Sequence, residues 1–155
     1  MISVWRLCRS KYETSAFSGL GAEKTGGRWN HKGYPVVYAS ENLSLAALEL
    51  FVHVSPGIIP SDLVSLRGTL PRSIPSERIG VAELPRNWRD YPAPPALCEI
   101  GTNWIRAATS LVLYVPSAIN PVESNCLINP SHANFKKLNV HPGEPFHFDP
   151  RMFGK

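Results

Sequence analysis

The chain has 155 residues, of which 43% are hydrophobic and 18% are charged, a composition typical of a globular protein. Sixteen lysines and arginines against twelve aspartates and glutamates give a net charge of +4, and these charges are scattered along the chain. No apolar run approaches the roughly 20 residues that cross a bilayer, and no nucleic-acid-binding motif is recognisable. We therefore expect a single cytoplasmic domain, 1–155, that binds neither membranes nor nucleic acid directly.

Cysteine and histidine spacing argues against disulfides and metal sites. The three cysteines are an odd number at wide spacing, which is typical of reduced thiols: Cys8, Cys98 and Cys126. The five histidines show no HExxH spacing, and no CxxC accompanies them. We expect no disulfide and no metal.

The first third of the chain predicts two strands and a helix. The stretch "SVWRLC" at 3–8 alternates as a strand does, and "PVVYAS" at 35–40 is short and apolar, with a loop between them. The run "LSLAALELFVHV" at 43–54 has helical character, and Asn42 or Ser40 can cap its start.

The remaining chain completes a mixed pattern. A strand is predicted at 62–70, and the proline-dense segment after it indicates an ordered but irregular connection. Helical spacing then covers 96–108, two strands follow at 110–119 and 125–130, and the tail at 146–154 can add an edge strand. The sum is an α+β fold, a single compact domain with short strands and few helices.

A glutamate falls within the apolar stripe of the first long helix. At 100° per residue, Leu45, Leu48 and Val52 lie on one side, and Glu49 lies among them. An unpaired carboxylate is costly to bury, so Glu49 either pairs with an arginine, is exposed by a rotated helix, or lines a pocket. The last alternative makes it a candidate functional residue.

An arginine follows two glycines in "EKTGGRWN". The simple interpretation is a turn at Gly26 and Gly27 with Arg28 in solvent or paired to an acid. Alternatively, glycine backbone approaches a ligand closely, and Arg28 offers its fork of donors to a phosphate or a sugar hydroxyl. A dinucleotide fingerprint is excluded because its third glycine would fall at Lys24.

Small polar residues are concentrated between the last two predicted strands. Ser117 follows Pro116, and Asn125 opens the second of these strands. Such residues commonly form turns. Since no GxSxG surrounds Ser117, a binding role is a better functional interpretation than a hydrolase nucleophile.

Several of these motifs together resemble the RES domain family, which is named for its Arg, Glu and Ser. The resemblance covers about 5–150 and is most specific in "GGRWN", in "VVYAS" with the helical glutamate behind it, and in "VPS" leading to "NPSH". It implies an ADP-ribosyltransferase-like fold and a toxin that degrades NAD+. It also implies an Xre-type antitoxin as partner and a possible homodimer.

Carried onto this chain, the resemblance implies that Arg28, Tyr38 and Glu49 are catalytic and that Arg28, Tyr38 and Ser117 bind substrate. Glu49 would stabilise the oxocarbenium-like cation that forms when the nicotinamide–ribose bond breaks, and Tyr38 would stack on nicotinamide. NAD+ is then the substrate, no cofactor is needed, and water or inorganic phosphate is the acceptor. We add Asn125 as a candidate substrate ligand, with His132, Arg6 and Lys24 as further candidates near the cleft.

Two other functions stay open from the sequence. A protein-modifying ADP-ribosyltransferase would use the same pocket, but arginine-specific transferases typically carry a second Glu or Gln two residues before the catalytic glutamate, and that position is Ala47. A non-enzymatic binding module is the other alternative, in which Glu49 and Arg28 simply pair with each other.

Overall fold

The computed structural model describes residues 1–55 and 57–154, which form three α-helices and one sheet of eight strands. The helices are α1 (Leu20–Thr25), α2 (Leu43–Phe51) and α3 (Pro95–Ala107). The strands are β1 (Ile2–Arg9), β2 (Val37–Ser40), β3 (Leu63–Leu70), β4 (Ser76–Arg78), β5 (Val112–Pro116), β6 (Ser124–Ile128), β7 (Asn139–Val140) and β8 (Glu144–Pro145). Short 3₁₀ helices lie at 10–15, 81–83, 133–137 and 150–153.

The strand order places distant parts of the chain side by side. Along the sheet it is β4-β5-β6-β2-β1-β3-β7, with β8 also paired to β3. All pairs are antiparallel except β4 with β5. Strand β1 pairs with β3 along its whole length, from Ile2 with Leu70 to Arg9 with Leu63, but it pairs with β2 at Trp5 and Ser40. The sheet therefore has two halves, which meet between β1 and β2.

Helix α3 covers one face of the half formed by β5, β6 and β2. Its buried Leu97 and Trp104 belong to the same apolar cluster as Leu113 of β5 and Leu127 of β6. The helix also packs against loop backbone, because a Cβ built on Gly101 would lie 1.7 Å from the carbonyl oxygen of Trp29. The opposite face has its own core, which joins the two halves: Val4, Phe17, Val37, Ala39, Leu66, Val112, Cys126 and Ile128.

Most predicted elements are confirmed, and so is the mixed α+β domain. The strands expected at 3–8 and 62–70 and the helix expected at 96–108 match β1, β3 and α3 to within one residue at every end. Helix α2 ends earlier than predicted, at Phe51.

Two predictions were wrong. The segment between β1 and β2 holds α1 and a 3₁₀ helix in addition to loop. The proline-dense connection is largely irregular, as expected, but it also contains β4, which lies at the sheet edge. The tail adds a 3₁₀ helix at 150–153 in place of an edge strand. There the Asp149 carboxylate accepts from the N–H of Arg151 at 2.9 Å, while Phe148 and Phe153 pack on Phe51 of α2. Among the described residues, no helix has the length and apolar character that a membrane span requires.

Candidate active site

Helix α2 turns the Glu49 side chain towards the interior of the protein. The helix is capped by Asn42, whose Oδ1 accepts from the N–H of Leu45 at 2.8 Å, and Leu45 is fully buried. The predicted inward direction of Glu49 is confirmed, because its carboxylate contacts the fully buried Ser117. Val52, which we expected in the same apolar stripe, is 55% exposed because it lies beyond the last helical residue.

Two side chains donate to the same oxygen of Glu49. The Ser117 hydroxyl lies 2.7 Å from Oε1 and the Asn125 Nδ2 lies 2.6 Å from it. Hydrogen bonds to a carboxylate are charge-assisted, so these two offset part of the cost of removing it from water. The second oxygen, Oε2, accepts no hydrogen bond from any described residue and keeps contact with solvent. The carboxylate is thus held through one oxygen while the other is free.

Ser40 determines which way the Asn125 amide faces. The two residues lie directly opposite each other in the β2–β6 pair, so their side chains share a face of the sheet. The Ser40 hydroxyl donates to Asn125 Oδ1 at 2.8 Å. Because a hydroxyl hydrogen satisfies Oδ1, the Nδ2 donor is left to face Glu49.

Ser117 uses its full hydrogen-bonding capacity within the protein. Its Oγ accepts from the N–H groups of Ile119 and Asn120 at 3.1 and 3.2 Å, and it donates to Glu49. A hydroxyl has one donor and two acceptor positions, and all three are occupied. In this structure Ser117 therefore orients the carboxylate, and its predicted direct contact with substrate stays a prediction.

Tyr38 anchors the loop that follows the two glycines. Its hydroxyl donates to Asn30 Oδ1 at 2.6 Å and accepts from the N–H of Trp29 at 3.0 Å. Burial raises the pKa of Tyr38 above its ordinary value, so the hydroxyl stays a donor near neutral pH. A Cβ on Gly27 would lie 2.8 Å from this hydroxyl, so a larger residue would displace the ring. Gly26 meets the other requirement of the turn with a φ of +71°.

Tyr38 shares a face of the sheet with Ser40, the residue that orients Asn125 towards Glu49. It precedes Ser40 by two residues in β2, which places the two side chains on one face, about 7 Å apart along the strand. Its predicted stacking on nicotinamide stays a prediction.

Arg28 binds backbone in this structure. Its guanidinium donates to the carbonyl oxygens of Trp88 and Asp90 at 2.8 and 3.2 Å. The ion pairs of residues 1–55 and 57–154 are Arg9–Asp62, His31–Glu99 and Arg151–Asp149. The suggested pairing of Arg28 with Glu49 is therefore wrong, and the carboxylate is held by the neutral donors of Ser117 and Asn125.

The three further basic candidates differ in their contacts. Arg6 donates to the carbonyl oxygen of Tyr38, and its buried Nε has no partner among the described residues. Burial is the main cause that lowers the pKa of Arg6 from its ordinary value. His132 accepts from the N–H of Asn134 through Nδ1 and so caps the 3₁₀ helix at 133–137, and Lys24 is exposed on α1.

Three residues of the site were not predicted from the sequence. Asn30 binds the Tyr38 hydroxyl, Ser40 orients Asn125, and Arg89 donates to the carbonyl oxygens of Ala118 and Ile119 beyond Ser117. Asn30 was within reach of sequence analysis because it ends the motif "GGRWN". The other two carry no local signal, since their partners lie 85 and about 30 residues away in the chain.

Comparisons with known proteins agree with this fold. The profile of the RES domain family matches residues 3–149, and the chain therefore belongs to the RES domain family. "Toxin Res" of Yersinia enterocolitica is 38% identical over 151 residues, which cover 96% of this chain and 98% of that protein. "Toxin Res" of Photorhabdus laumondii is 39% identical, with 96% of each chain covered. The protein is a toxin of this family.

Two further relatives extend the comparison. The "Prs ADP-ribosylating toxin" of a Sphingobium strain is 36% identical, with 99% of this chain and 98% of that protein covered. The toxin in the crystal structure of the M. tuberculosis MbcT–MbcA toxin–antitoxin complex has the same fold, with a TM-score of 0.67 over 97% of this chain and 86% of the other. Its sequence identity is 14%, so it supports the fold alone.

Proposed function

We propose that this protein is the toxin of a toxin–antitoxin pair and that it breaks the nicotinamide–ribose bond of NAD+. The observation that carries the proposal is the Glu49 carboxylate, which is fixed through Oε1 by Ser117 and Asn125 while Oε2 stays open to solvent. A fixed negative charge of this kind suits a reaction that develops positive charge in its transition state.

The chemistry requires little beyond this charge and a well-held substrate. When nicotinamide leaves, the ribose C1′ becomes cationic, and a carboxylate already oriented by the protein stabilises it without reorganisation. The free Oε2 can also accept a hydrogen bond from a ribose hydroxyl. Tyr38, on the same face of the sheet, offers a ring against which the nicotinamide packs.

Arg28 would bind the diphosphate or a ribose at the mouth of the cleft. It is half-buried and carries a donor fork, which matches phosphate oxygens in shape. Its present partners are neutral carbonyl oxygens, so a phosphate would be the stronger acceptor for the same donors. No cofactor enters this scheme, and NAD+ is the substrate.

The acceptor defines the reaction class. With water as acceptor the product is ADP-ribose, and with inorganic phosphate it is ADP-ribose phosphate. We propose hydrolysis, because water is always present and needs no binding site of its own. Transfer to a protein is the second candidate, and the name of the Sphingobium relative favours it. The alanine at position 47, where arginine-specific transferases typically carry Glu or Gln, favours the destruction of NAD+ over transfer to arginine.

The experiment is to follow NAD+ by mass spectrometry with purified protein alone, with added phosphate, and with cell lysate as a source of protein acceptors. We expect NAD+ loss and free nicotinamide with protein alone. NAD+ that stays intact in all three reactions would refute the proposal. Consumption only with phosphate would assign a phosphorylase, and labelled protein only with lysate would assign a transferase.

We also propose that an Xre-type antitoxin binds over the cleft and blocks NAD+. The M. tuberculosis toxin of the same fold was crystallised with its antitoxin, and this is what suggests looking for a protein partner here. An Xre-type antitoxin that binds this protein should abolish NAD+ consumption at equimolar ratio. A stable complex that still consumes NAD+ at the free rate would contradict occlusion.

A further inference from the structure

The segment 88–90 connects the two loops of the candidate site. On one side the carbonyl oxygens of Trp88 and Asp90 accept from Arg28. On the other side the Arg89 guanidinium donates from Nε to the carbonyl oxygen of Ala118 at 2.9 Å and from its second nitrogen to that of Ile119 at 3.5 Å. Trp88 is 5% exposed and packs in the core cluster under α3, and this packing holds the segment in place.

Arg89 binds the same two peptide groups that donate to Ser117. The peptide between residues 118 and 119 carries the Ala118 carbonyl and the Ile119 N–H, and the next peptide carries the Ile119 carbonyl and the Asn120 N–H. Both carbonyls accept from Arg89, and both N–H groups donate to Ser117 Oγ at 3.1 and 3.2 Å. Each peptide thus links the guanidinium to the hydroxyl.

We infer that Arg89 is a positioning residue for the reaction, and that it acts on Glu49 through these two peptides and Ser117. A cation on the carbonyl side of a peptide polarises its N–H into a stronger donor, and hydrogen bonds in such a chain strengthen one another. Ser117 Oγ then accepts stronger hydrogen bonds from these two N–H groups, and its own hydroxyl becomes a stronger donor to Glu49 Oε1, 2.7 Å away. The inference rests on the proposed function of Glu49.

A purely structural attachment would have a different signature. If Arg89 only fixed the loop at 118–120, its loss would affect the site whether or not Ser117 had a hydroxyl. If it acts through the hydroxyl, its effect must disappear once the hydroxyl is gone. A double-mutant cycle separates the two cases.

The kinetic experiment therefore compares Arg89→Met in the natural chain with Arg89→Met in Ser117→Ala. We expect kcat for NAD+ consumption to fall roughly 3- to 10-fold in the first case, the size of one hydrogen bond, with KM little changed. In Ser117→Ala the same substitution should change kcat less than about two-fold. An equal fold-loss in both backgrounds would overturn the inference.

The matched control is Arg86→Met. Arg86 is also exposed and lies three residues earlier, and no hydrogen bond within residues 1–55 and 57–154 involves its guanidinium. Arg86→Met removes the same positive charge as Arg89→Met but breaks no hydrogen bond to the loop at 118–120. We therefore expect its kcat to be unchanged. A loss equal to that of Arg89→Met would mean that net charge alone matters and would also overturn the inference.

A second measurement is independent of NAD+ chemistry. In ¹H–¹⁵N spectra, the amide protons of Ile119 and Asn120 should move upfield in Arg89→Met, because their hydrogen bonds to Ser117 weaken. Arg89→Lys keeps the positive charge but replaces the guanidinium by a single ammonium group. It should therefore give intermediate shifts. Unchanged amide positions in both variants would refute the inference. If the natural protein fails to consume NAD+ while these shifts appear, the proposed function is wrong and the link from Arg89 to Ser117 still holds.

Discussion

Replacing Glu49 by glutamine removes the charge while keeping the shape of the side chain. The amide oxygen can still accept from the Ser117 hydroxyl and from Asn125 Nδ2, which now lie 2.7 and 2.6 Å from Oε1. Both bonds change from charge-assisted to neutral, so we expect the free energy of unfolding to change by about 1 kcal/mol. The fold should be retained.

The effect on NAD+ cleavage should be much larger. Glu49 is half-buried and one of its oxygens faces solvent, so an effective dielectric constant of about 20 is appropriate. A unit negative charge about 4 Å from a cationic C1′ then contributes about 4 kcal/mol. Its loss corresponds to a rate about 10³-fold lower.

The assay is single-turnover NAD+ loss followed by mass spectrometry, beside urea unfolding of the same preparation. Glu77→Gln is the control, because Glu77 is exposed and its Oε1 likewise accepts from a hydroxyl, that of Thr109 at 2.7 Å. We expect full activity in the control. A Glu49→Gln rate within tenfold of the natural protein would show that this carboxylate does not stabilise the transition state.

Two further predictions concern the loop that carries Arg28. Tyr38→Phe leaves Asn30 Oδ1 and the N–H of Trp29 without their partner, so we expect a loss of about 1–3 kcal/mol in urea unfolding, and an unchanged midpoint would contradict the anchoring role. Gly101→Ala would bring a methyl group to 1.7 Å from the Trp29 carbonyl oxygen, which α3 cannot accommodate without moving. We expect a loss of about 3 kcal/mol or more, and a thermal melt like that of the natural protein would show that the helix has room to shift.

The local secondary structure of this protein could be predicted from its sequence. The alternation in "SVWRLC", the helical spacing around Leu97 and Trp104, and the capping residue Asn42 each depend on neighbours within a few positions, and the structure confirms all three. The motifs that resemble the RES domain family are also properties of short segments of the sequence. Their family assignment is confirmed by the match over residues 3–149.

Edges and termini were predicted less well. The strand β4 is three exposed residues, so it has no alternation to detect, and it exists because the neighbouring β5 offers a free edge. The tail sequence "FHFDPRMFG" suits a strand in isolation. Aromatic packing of Phe148 and Phe153 against Phe51 on α2 instead favours a tight turn over the helix.

The arrangement of the candidate site follows from the sheet order. Ser117 and Asn125 lie 68 and 76 residues from Glu49, and they reach it because β6 pairs with β2, directly before α2, while β5 pairs with β6. The sequence predicted an inward carboxylate without naming its partners, and Arg89 escaped notice entirely. Periodicity and capping are properties of short segments, whereas a hydrogen bond between distant residues depends on which strands become neighbours, and that is settled only when the whole core packs.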